Sequence, residues 1–246
     1  MKLYGLIGYP LGHSFSKKYF TEKFIKEGIT DCRYELFAIP SIKDLPLVIN
    51  SNPDLKGLNV TIPYKQNVLE YVNETSDAVK KIGAANTIKF DGDKIIAYNT
   101  DVIGFENSLL QKLKPSHQKA LVLGTGGSSK AIQYVLKKLG IDFLLVTRSQ
   151  SLQQGSINYS MVDEAIIKDH QLVINCTPVG MYPNVNEYPQ LPYKFLSDQH
   201  YLYDLIYKPE KTLFLKRGEE RGARIQNGLD MLTIQAEESW KIWNTD

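Results

Sequence analysis

Cysteine is scarce: Cys32 and Cys176 are the only two in 246 residues, and neither belongs to a CxxC pair. That scarcity excludes a disulfide framework and a thiolate zinc site, and it suits a reducing, cytoplasmic compartment. Four histidines, His13, His117, His170 and His200, are scattered without ligand spacing, so no metal is expected. No apolar run approaches the roughly 18 residues of a membrane span. The opening "MKLYGLIGYP" lacks a signal-peptide core and reads as a strand ending in a turn. Charge of one sign is missing too. The 29 Lys and Arg nearly balance the 27 Asp and Glu, and a net charge of +2 gives no reason to expect nucleic acid or an anionic membrane as partner. There is no internal repeat and no low-complexity tract. What remains is a globular chain, 43% hydrophobic, long enough for one large or two small domains around a small-molecule site, as a monomer or homodimer.

Strands and helices alternate along it. "LYGLIGY", "RYELFAI" and "LKGLNVTI" read as strands, "KKYFTEKFIKEG" as a helix and "SIKDLPLVIN" as a weaker one. Pro63 is expected to open a helix with Lys65 in its first turn. "TSDAVKKIG" gives another helix, and "ANTIKFDGDKIIAYNTD" a hairpin around Asp91-Gly92. A helix from about Val102 to Leu113 leads into "KPSHQ", a polar stretch that reads as a break between halves. Beyond it, "KALVLG", "FLLVT", "LVINC" and "YLYDLI" are short buried strands. With helices such as "GSSKAIQYVLKKLG" between them, they imply parallel β-α-β units and a doubly wound sheet. The final "GLDMLTIQAEESWKIWN" puts Leu229, Leu232, Ala236, Trp240 and Trp243 on one helix face. The fold class is therefore α/β with two domains.

Between "KALVL" and the next helix lie Gly124, Gly126 and Gly127. Glycines there admit positive φ and let a pyrophosphate approach the backbone, while the helix N-terminus offers N–H groups to phosphate. A tight turn without a ligand would carry the same residues; the strand-turn-helix-strand context favours the dinucleotide. An NAD-binding chain would present an acid about 20 residues on. Here Thr147-Arg148-Ser149 occupies that place, and a guanidinium suits the 2′-phosphate of NADP(H). As a solvated loop residue, Arg148 would carry no such meaning.

The first half holds polar clusters that packing does not require. In "GHSFS", Ser14 and Ser16 fall on one side if the segment is extended, although Ser16 alone could cap the next helix. In "NVTIPYK", Asn59 and Thr61 share a strand face, and Lys65 in a first helical turn would have its pKa lowered by the dipole. "GAANT" offers Asn86, and "NTD" offers Asp101, itself a possible cap.

Taken in order, "GYPLGHSFS", "LNVTIPYK", "GAANT", "YNTD", "GTGGSSKA", "INCTPVGM", "YDLIYKP" and "GLDMLTIQA" resemble the shikimate dehydrogenase family along essentially the whole chain. The resemblance implies reduction of 3-dehydroshikimate to shikimate with NADPH. It also implies an α/β substrate domain (1–101 and 227–246), a Rossmann-type NADP domain (102–226), and a C-terminal helix returning to the first. It assigns Lys65 as the catalytic lysine with Asp101 as its partner. It gives Ser14, Ser16, Asn59, Thr61, Asn86, Tyr207 and Gln235 to the substrate. To the cofactor it gives Gly124, Thr125, Gly126, Gly127, Ser128, Thr147, Arg148, Thr177, Gly180, Met181 and Gly228.

Three departures stand out. Lys17 replaces a proline usual in the family and would add charge beside the substrate carboxylate. "RSQSLQQ" lacks a second base after Arg148, which implies modest preference for NADP over NAD. The span from Arg148 to "INCTP" is short and implies a trimmed β-α unit. Open alternatives are a quinate-accepting relative and a non-catalytic module that binds NADP or shikimate.

Overall fold

The computed structural model describes residues 1–12, 15–149 and 155–245. Two compact units emerge, Met1–Thr100 together with Gln235–Asp246, and Asp101–Ile234.

The first unit runs β1 (Lys2–Gly8), α1 (Phe15–Lys26), β2 (Cys32–Ala38), α2 (Leu45–Asn50), β3 (Leu55–Val60), β4 (Glu74–Thr75), α3 (Asp77–Ile82), β5 (Thr87–Asp91) and β6 (Lys94–Tyr98). Its sheet is mixed, in the order β2-β1-β3-β5-β6-β4, with β1 parallel to both neighbours and β5 antiparallel to β3 and β6. Alternation along β1 builds two cores. Leu3 and Ile7 join Leu58, Val60 and Ile88 on one face, whereas Tyr4 and Leu6 join Phe20, Tyr34, Ala236 and Trp243 on the other. Ser76 starts α3 by accepting from the Val79 amide at 3.4 Å.

The helix expected from Pro63 is absent. Residues 61–66 form turns around a cis Ile62–Pro63 bond, and a 3-10 helix begins only at Asn67. The physical reason is a tertiary bond. The Lys65 carbonyl accepts from the Ala85 amide at 2.7 Å rather than from residue 69, whose amide turns to Gln66 at 3.2 Å. No helix dipole therefore stands behind Lys65.

The second unit begins with α4 (Asp101–Leu110) and continues through β7 (Lys119–Leu123), α5 (Gly127–Lys138), β8 (Asp142–Thr147), β9 (Ser156–Asn158), α6 (Glu164–Asp169), β10 (Leu172–Asn175), β11 (Tyr201–Asp204), α7 (Leu213–Glu219) and β12 (Arg224–Gln226). Every strand pair is parallel, in the order β9-β8-β7-β10-β11-β12. This is the doubly wound order, reversing between β7 and β10. The trimmed unit is visible as a three-residue β9 and a six-residue α6. "KPSHQ", expected as a break, lies inside this unit. His117 is 2% exposed, accepts from the Lys114 amide at 3.0 Å and lies 3.2 Å from the Gln199 carbonyl.

The last helix, α8 (Leu229–Asn244), starts in the second unit and ends in the first. Its buried stripe is Met231, Gln235, Ala236, Ser239 and Trp243, while Leu229 is 41% exposed. The expected apolar face is thus rotated: two polar residues are buried because they hydrogen-bond inside the first unit. Among the described residues, no helix is long and apolar enough to cross a membrane.

Candidate active site

A chain of buried polar side chains runs through the first unit. Ser16 hydrogen-bonds the Tyr34 side chain, and the Tyr34 hydroxyl donates to Asn59 Oδ1 at 2.8 Å. Asn59 Nδ2 donates to Ser239 Oγ at 2.9 Å and Thr87 Oγ1 at 3.3 Å. Asn86 Oδ1 accepts from the Thr100 amide at 2.7 Å, and its Nδ2 donates to Thr100 Oγ1 at 3.0 Å and Gln235 Oε1 at 3.2 Å. Desolvation pushes the Tyr34 phenol far above its ordinary pKa, so it acts here as a neutral donor. A network this deep is stable only when its members are mutually satisfied.

The expected substrate residues occupy different parts of this frame. Ser16 is the second residue of α1, so it neither caps the helix nor belongs to an extended segment. Ser14 lies outside the described residues. Asn59, 4% exposed, turns both polar atoms inward and serves the network. Thr61 is half-buried just beyond β3, its amide bonded to the Ile7 carbonyl at 2.9 Å and its carbonyl to the Tyr64 amide at 2.9 Å. Lys65 is half-buried in the following turn, tied to the "GAANT" segment through Ala85. Asn86 and Gln235 meet directly. Lys17 forms an ion pair with Glu35 at 2.7 Å, which offsets the charge expected of it.

In the second unit, Asp101 opens α4 and is 6% exposed. Tyr207 is half-buried just after β11, and burial raises its phenol pKa. At the switch point, Gly124 takes φ +99, which favours glycine, and a Cβ there would stand 2.8 Å from Thr177 Cγ2. The carboxyl ends of β7 and β10 thus hold the glycine turn against the Thr177 loop. Gly126 is the N-cap of α5 and brings no side chain to bond its first N–H groups. Thr125 is exposed, Gly127 and Ser128 half-buried. Open space lies where a Gly126 Cβ would be. These features fit a pyrophosphate.

Thr147 ends β8 with its hydroxyl accepting from the Ser149 amide at 3.1 Å. Arg148 next to it is exposed. The Tyr159 phenol is pushed up to about 12 by burial, with Arg148 pulling the other way. Gly180 is buried at φ +97, whereas Met181 is 45% exposed. Gly228 packs so tightly that a Cβ would fall 2.1 Å from the Leu205 carbonyl.

Sequence reasoning passed over Tyr34, Thr87, Thr100, Ser239, Asn175, Asp204 and Thr212. The signal available for some of them was polarity inside otherwise apolar strands, as in "LVIN" and "YLYD".

Residues 6–88 match the shikimate dehydrogenase substrate binding domain. The shikimate dehydrogenase (NADP(+)) of Caldicellulosiruptor saccharolyticus is 36% identical, over 98% of this chain and 91% of its own. The crystal structure of shikimate dehydrogenase from Aquifex aeolicus superposes with a TM-score of 0.88 at 34% identity, covering 99% and 92% of the two chains. That of the Thermus thermophilus enzyme in complex with NADP(H) and shikimate does so with a TM-score of 0.87 at 26% identity, covering 99% and 94%. A near-complete match in sequence and in fold, with the glycine turn at the switch point, makes this chain a member of the shikimate dehydrogenase family.

Proposed function

We propose that this protein catalyses the reversible, NADPH-dependent reduction of 3-dehydroshikimate to shikimate. The first unit, with the end of α8, serves the substrate, and the second serves the cofactor. The observation that carries the reading is the switch point of the second sheet, where Gly124 and Thr177 meet beside the start of α5, whose N-cap is a glycine. It occurs in a chain whose relatives are named for this reaction.

Bound NADPH supplies the hydride. Lys65 stabilises the negative charge that grows on the ketone oxygen and gives up the proton that completes the alcohol. Asp101 is assigned as the partner of Lys65 in that proton transfer. Asn86 and Gln235, already bonded to each other, present amides to the ring hydroxyls, as does Thr61 its hydroxyl. Ser14 and Ser16 hold the substrate carboxylate, and Tyr207 faces the substrate. Asn59 acts behind them by fixing the network. Arg148 takes the 2′-phosphate, and Thr147, Gly180, Met181 and Gly228 complete the cofactor's surroundings. We place the enzyme in the cytoplasm, where two unpaired thiols persist.

Relaxed use of NADH is a second reading, favoured by Arg148 standing exposed and by "RSQSLQQ", which supplies no second base after it. The test follows NADPH absorbance with 3-dehydroshikimate in the native protein and in Lys65→Ala, then repeats with NADH. Turnover that falls about 100-fold or more in Lys65→Ala, with NADPH binding retained, is the expected result. A folded native protein without turnover overturns the reading, and quinate is then the next substrate to try.

A further inference from the structure

Asp204 lies where the proposed chemistry has no use for it. It ends β11 with no exposed surface, yet both of its oxygens are engaged. Oδ1 accepts from Asn175 Nδ2 and from the Ile206 amide, each at 3.0 Å, and Oδ2 accepts from the Thr212 hydroxyl at 2.5 Å. Asn175 is equally buried. Its Oδ1 accepts from the Thr177 amide at 3.1 Å and the Thr177 hydroxyl at 2.6 Å. On the other branch, Ile206 precedes Tyr207, and its carbonyl accepts from the Gly228 amide at 3.1 Å. One carboxyl thus joins the loop after β10, the turn after β11 and the start of α7.

A carboxyl is a costly filler for such a space. An apolar side chain of similar size would bury more cheaply, so what distinguishes an acid here is the bonds it makes. Those bonds lead to Thr177 on one side and to Tyr207 and Gly228 on the other. Through them, the position of each loop depends on the same two oxygens.

We propose that Asp204 is a positioning residue for the reaction, setting the Thr177 loop through Asn175 and the Tyr207 turn through the Ile206 amide, so that both keep one register. The proposal rests on the reading above, in which Thr177 serves the cofactor and Tyr207 the substrate. Asp204 itself touches neither. Its amide analogue can make the same bonds if the Thr212 hydroxyl reverses from donor to acceptor.

The experiment compares the native enzyme with Asn175→Ala, Asp204→Ala and Asp204→Asn, each checked for folding by circular dichroism. KM for NADPH and for shikimate and the NADPH dissociation constant are measured for each. Asn175→Ala is expected to weaken NADPH about ten-fold and leave the shikimate KM alone, while Asp204→Ala raises both KM values about ten-fold, as loss of a buried hydrogen bond implies. Asp204→Asn is expected to restore both to within about three-fold of native, on the same argument. A lowered melting temperature with both KM values native would mean a purely structural role and would overturn the proposal. If Asp204→Ala does not fold, Asn175→Ala decides: an unchanged NADPH affinity overturns the proposal, and the cofactor-only loss supports it. A native protein that binds NADPH but turns nothing over would refute the functional reading instead, and the NADPH dissociation constant of Asn175→Ala would still decide the Thr177 arm.

Discussion

Burial gives Asp204 a second consequence, for stability against pH. Desolvation raises its pKa from 3.8 to about 7, against the pull of bonds from Thr212, the Ile206 amide and Asn175. The native state therefore holds its proton where the unfolded chain has already released it. A folded pKa above the unfolded one means stability that is full below about pH 4 and lost as pH rises toward 7. The gap corresponds to about 4 kcal/mol at most. Asp204→Asn removes the titration and keeps the shape, so the variant should match the native protein near pH 4. Above pH 7 it should exceed it by up to about that amount. Urea unfolding at several pH values measures the difference directly. Both tryptophans, Trp240 and Trp243, lie in the first unit, so circular dichroism must follow the second. Variant and native curves that run parallel from pH 4 to 8 would refute the reasoning. They would mean that the three donors hold the carboxylate charged despite its burial.

Other perturbations follow from the same geometry. Gly57→Ala would drive a Cβ to 2.1 Å from Trp243 Nε1, displacing the ring from its 2.8 Å bond to the Ile88 carbonyl. A loss of roughly 2–3 kcal/mol, read as a lower denaturation midpoint with quenched tryptophan emission, is expected. Asn59→Leu leaves the Tyr34 hydroxyl and its neighbours short of partners and should cost about 3 kcal/mol by the same assay. Arg148→Ala should raise the NADPH KM about ten-fold and leave that for NADH unchanged, as steady-state kinetics would show. Equal loss with both cofactors would remove Arg148 from the 2′-phosphate.

Legibility in the sequence followed the range of the interactions. The glycine turn was readable because strand, turn and helix are contiguous, and Arg148 followed at a fixed distance along β8. The hairpin at Asp91-Gly92 was readable for the same reason. The local structure around Lys65 was not: Pro63 resembles a helix start, and only the Ala85 amide, brought in from the next segment, turns the chain aside. The face of α8 was misjudged because Gln235 and Ser239 look solvent-facing until Asn86 and Asn59 are known to meet them. Asp204 passed as part of a strand end, since nothing local reveals that Asn175 and Thr212 converge on it.

The placement of α8 sets an order on assembly. Tyr4, Phe20 and Tyr34 come early in the chain, yet the aromatic cluster they form is completed by Trp243, near its end. On the ribosome, therefore, one of the two cores of the unit that emerges first must wait for the second unit to be synthesised before it can close, while the second has all of its own strands in hand. The half of the molecule made first is finished last.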